Sequence, residues 1–84
     1  MKEFHDNEDV NLIMLAYISN CNNLTENVQY ANDNGHIEDY RRLVDERTQL
    51  LVEMQQFALN NKISWLSVWI KLTKLELHKS AKQR

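Results

Sequence analysis

Between Ile37 and Ile63 apolar side chains recur at Ile37, Tyr40, Leu43, Val44, Leu50, Leu51, Met54, Phe57 and Ala58, the spacing of one face of an α-helix. A strand alternates with a period of two and could not bring these residues to one side. The stretch therefore predicts a long amphipathic helix against which the rest of the chain packs. Arg47 interrupts the stripe, and the positions three and four away on either side, Leu43, Val44, Leu50 and Leu51, offer it no carboxylate. Its partner must come from another segment, or its head must reach solvent on a buried stem.

The remaining composition favours helices. One glycine and no proline among 84 residues leave little material for tight hairpins or bulges. The fold class expected is all-α: an antiparallel helical hairpin plus a third amphipathic helix, with the whole chain 1–84 as one domain. A chain of this size buries roughly 60 to 65% of its unfolded surface, so a partner or a second copy would add to a small core.

In chain order, residues 1–7 read as a tail, and Asp6 or Asn7 can cap a first helix over 8–33. Val10, Met14, Tyr17, Cys21, Leu24, Val28 and Ala31 then recur in steps of four and three, a heptad seam widened by Leu12, Ile13 and Ile18. Asn32, Asp33, Asn34 and Gly35 punctuate the chain, and the only glycine can take the left-handed conformation that ends a helix. A second helix over 36–60 follows, with Glu38 and Asp39 at its positive end. The short connection makes the two helices antiparallel neighbours. Arg47 then falls opposite the Cys21–Glu26 region, with Glu26 the nearest carboxylate. Asn60 and Asn61 predict a second turn, although no glycine or proline marks it.

The third segment, expected as a helix over 62–79 before a basic tail at 80–84, has two adjoining apolar rows. Ile63, Leu66, Ile70 and Leu77 form one; Trp65, Val68, Leu72 and Leu75 form the other, with Trp69 between them. One stripe is enough to cover a two-helix hairpin, so apolar surface is left over. Trp65, Val68, Trp69, Leu72 and Leu75 are the expected partner-binding residues. Core packing with dimerisation is the plainer account of the same rows.

Charge is divided along the chain. Residues 1–61 hold eleven acids against four Lys and Arg, whereas residues 62–84 hold six Lys and Arg against Glu76 alone. Lysines beside apolar residues could suit an anionic membrane surface, but they form no broad face, and protein packing is preferred. Lys62, Lys71, Lys74, Lys79, Lys82 and Arg84 could meet nucleic acid, yet the chain is acidic and has no helix-turn-helix or finger spacing. Neither a membrane nor a nucleic acid is expected as partner.

No catalytic residue, metal site or cofactor is expected, and the chain is read as non-enzymatic. His5 lies among Asp6, Glu8 and Asp9, but no second histidine stands at ligand spacing. His36 and His78 have no nucleophile at a recognised spacing. Cys21 sits on the seam as a small apolar side chain; reactivity would need exposure and a positive neighbour, which Arg47 could supply. As the only cysteine it can form no internal disulfide. An acidic, polar N-terminus and the lack of any run near 18 apolar residues add to a cytoplasmic reading.

Two resemblances give this binding role a direction. FALNNKI at Phe57–Ile63, with LLVEM before it and Trp65 after it, resembles the central helix of the Hha-toxicity attenuator family, the TomB or YmoB type. The opening MKEF and the later NCNNL are similar to that family as well. The likeness covers Met1 to Ile63 with gaps, and the segment from Ser64 to Arg84 departs from it. It implies a small helical protein that antagonises a small helical modulator of gene expression. The family's redox cysteine is not carried onto Cys21, whose spacing from the N-terminus differs. Gly35 with Arg47 twelve positions later, followed by Leu50 and Leu51, resembles the hairpin of FliT-like flagellar export chaperones. That likeness implies an export substrate held by the third helix. A structural homodimer without a client is the further alternative.

Overall fold

The computed structural model describes residues 4–72. Among them the chain forms three helices and no strand: α1 (Glu8–Asp33), α2 (Ile37–Asn60) and α3, whose described part covers 65–72. The first two are the expected antiparallel hairpin, and the all-α class holds.

Helix α1 starts where the Asn7 side chain accepts a hydrogen bond from the Asp9 N–H at 2.9 Å, while Glu8 and Asp9 face the positive end of the helix dipole. Residues 4–7, expected as tail, are folded back instead. Asn11, nearly buried, accepts the N–H groups of Phe4 and His5 at 2.9 Å each and donates to the His5 carbonyl at 2.6 Å. Phe4 thereby rests against the core. An asparagine carries both donor and acceptor, so one side chain can hold both directions of a backbone.

The two turns are the same motif. At the end of α1, Gly35 takes φ +69°, the His36 N–H reaches the Ala31 carbonyl at 2.9 Å, and the Gly35 N–H reaches that of Asn32 at 3.3 Å. At the end of α2, Lys62 takes φ +56°, the Ile63 N–H reaches Ala58 at 2.8 Å, and the Lys62 N–H reaches Leu59 at 3.2 Å. Both are Schellman caps, in which a left-handed residue turns the last amides back onto carbonyls the helix leaves unpaired. The break at Asn60–Asn61 is therefore a true turn, closed by a lysine in the place glycine usually fills. Because the cap needs Lys62 and Ile63, α3 begins at residue 65 rather than 62. Its expected end at 79, and the tail at 80–84, lie outside the described residues.

The core lies at the end of the hairpin away from Gly35. Met14, Ile18 and Cys21 of α1 meet Met54 and Ala58 of α2, Ile63 of the second turn, and Val68 and Leu72 of α3. Tyr17 and Phe57 close one side, their ring centroids 5.6 Å apart and tilted by 52°. Leu12 and Ile13, expected to widen the seam, are exposed because they point away from the Met14–Ile18–Cys21 face. Ile37 and Tyr40 are exposed as well, since α2 begins near the Gly35 turn, beyond the core cluster. The amphipathic stripe of α2 is thus buried only over its second half.

A candidate partner-binding face on the third helix

Residues three, four and seven apart share a helical face, and α3 sorts its two apolar rows by this rule. Trp65, Val68 and Leu72 turn inward. Val68 and Leu72 are 0% and 1% exposed, and Trp65 packs half-buried against the core. Val68 and Leu72 therefore correct the expectation that they meet a partner: each seals the open side of the hairpin, and burying the two aliphatic side chains contributes roughly 2 kcal/mol apiece, whereas Trp65 packs on the core and keeps part of its ring exposed. Leu66, Trp69 and Ile70 turn outward, at 66%, 48% and 49% exposure. Trp69 alone of the expected set lies on this open face; Leu75 is outside the described residues. Leu66 and Ile70 belong to the other apolar row, whose spacing was legible but whose orientation was not.

Across the hairpin, Arg47 is half-buried, and its Nε donates to Thr25 Oγ1 at 2.7 Å. Thr25 in turn donates to the Cys21 carbonyl at 3.0 Å. The guanidinium therefore faces the stretch of α1 that the hairpin register places opposite it, and a hydroxyl beside Glu26 receives it. A threonine one turn beyond a cysteine on a helical seam gave no sign of this role, because a hydroxyl that bonds its own helix is usually spent there.

The polar candidates occupy structural positions. His5 Nδ1 accepts the Asn7 N–H at 2.9 Å, and the His36 ring meets Tyr30 edge-on at 6.2 Å. Cys21 is fully buried, out of reach of a reagent in solution. Among the described residues no three metal-ligating side chains come together, and no helix is long and apolar enough to cross a membrane. Asn22 is buried, and its Oδ1 has no hydrogen-bond partner among the described residues.

The candidate site is accordingly an apolar helix face rather than a cleft with convergent polar groups. No family model matches the chain, and no curated protein or solved structure is significantly similar to it.

Proposed function

We propose that this chain is a non-enzymatic, cytoplasmic binding protein that restrains a partner protein by covering its apolar surface. The observation that carries the reading is the outward stripe of Leu66, Trp69 and Ile70, aligned at i, i+3 and i+4 on a helix whose opposite face already seals the core. Three large apolar side chains on one exposed helical face form the anchor pattern of a helix that enters another protein's groove. The resemblance to the Hha-toxicity attenuators gives the partner its class, a small helical modulator of gene expression.

Affinity capture of the tagged protein from its own cells, with mass spectrometry of what is retained, tests this. A stoichiometric gene-expression modulator is the expected result, and Trp69→Ser with Ile70→Ser should reduce its retention at least about tenfold. Both positions are half exposed, so the double variant should keep the helicity of the parent chain. A flagellar or secretion subunit in place of the modulator would transfer the reading to an export chaperone. Undiminished retention by the double variant would remove this face from the account.

A further inference from the structure

The outer side of α2 and the turn that follows it form a second surface, separate from the outward face of α3. Val52, Gln55, Gln56 and Leu59 line a groove of about 350 Å³ whose floor and far end are Ala58, Ile63 and Trp65. Val52 and Leu59 are 61% and 72% exposed, and none of the described side chains lining the groove carries a charge. Among the described residues, charge stands beside the groove at Glu53 and Lys62, next in sequence to Val52 and Ile63, and neither has an ion-pair partner there. Seven residues of α2, roughly 10 Å of helix, separate Glu53 from Asn60, and Lys62 stands beyond the helix end in the turn, too far to pair within one chain. Lys62 also holds a left-handed backbone conformation that glycine would adopt without strain, so its side chain stands there at a backbone cost.

We propose that a second copy of this chain docks in this groove, antiparallel, about a two-fold axis that crosses the outer side of α2 between Gln56 and Leu59. A two-fold interface must be complementary to itself. An uncharged patch flanked by one acid and one base satisfies that condition. The axis sets Glu53 of each copy beside Lys62 of the other, giving two reciprocal ion pairs. It also lays Val52 over the Ile63–Trp65 end of the opposing groove and Leu59 beside Gln56, whose amide both donates and accepts.

Sedimentation velocity on the full chain over a range of concentrations tests the proposal. The parent chain should pass from monomer to dimer at micromolar concentration, and Leu59→Lys should raise the dimer Kd about 100-fold. Glu53→Lys and Lys62→Glu should each raise it several-fold, and the two reversals together should return it to within about threefold of the parent. Circular dichroism should find all four variants as helical as the parent, because every altered side chain is exposed. A chain that stays monomeric to about 1 mM, or a dimer indifferent to Leu59→Lys, would overturn the proposal. Charge reversals that fail to rescue each other would overturn the antiparallel register.

Discussion

Asn11 holds residues 4 and 5 to the start of α1 through three hydrogen bonds, and no apolar residue of its size could do so. Asn11→Leu should cost about 2 kcal/mol in urea unfolding and deprotect the amides of Phe4 and His5 in hydrogen exchange, since each bond contributes roughly 0.5 to 1.5 kcal/mol. Asn22 is the opposite case. Its buried Oδ1 meets no donor among the described residues, so Asn22→Leu should stabilise the chain by about 1 kcal/mol, visible as a raised Tm. At Arg47, the threonine it bonds to is the informative position. Thr25→Val keeps the shape, removes the acceptor at 2.7 Å, and should cost about 1 kcal/mol in the same measurement. By contrast Arg42, which reaches Asp39 at 3.6 Å and Glu46 at 3.4 Å on an exposed face, should tolerate Ala at a loss near 0.5 kcal/mol or less.

The helices are delimited by two turns of one design carrying different residues. Gly35 and Lys62 both occupy the left-handed position, and a Cβ at Gly35 would meet nothing within 4 Å. Backbone strain therefore decides the substitution at Gly35 and sets the expected sign at Lys62 in the monomer. Gly35→Ala should destabilise by about 1 kcal/mol, and Lys62→Gly should stabilise by a similar amount in thermal unfolding. Within α3, the tryptophans separate by face. Trp65→Ser removes a ring packed on the core and should cost about 2 to 3 kcal/mol, whereas Trp69→Ser should leave stability within about 0.5 kcal/mol of the parent. Equal losses at the two positions would mean that α3 does not present one face inward.

At the scale of the molecule, burial is uneven. Among the described residues, eight side chains from α1, α2, the second turn and α3 make one core cluster away from Gly35, while Tyr30, Ile37 and Tyr40 stand exposed near the first turn. A small core leaves a narrow margin of stability, which docking on Val52 and Leu59 would widen by mass action. For the self-associated chain, a tenfold rise in concentration should raise Tm by roughly 3 to 5 °C, whereas a monomer's Tm would not move. The Leu59→Lys variant should lose that dependence.

Periodicity and punctuation in the sequence determined the helices themselves. The 3.6-residue recurrence in α1 and α2, the caps at Asn7 and Gly35, and the short link that makes neighbours antiparallel are local properties of the backbone. The register that sets Arg47 opposite residues 21–26 follows from those lengths, as Thr25 bears out. The lysine-closed turn at 62 was less legible, because its asparagines marked a break while nothing marked the left-handed residue. Tertiary structure alone decided which of two apolar rows on α3 seals the hairpin. Rows of equal hydrophobicity bury equally well in isolation, and only the entry angle imposed by the Lys62 turn sends Val68 and Leu72 inward and leaves Leu66, Trp69 and Ile70 in solvent.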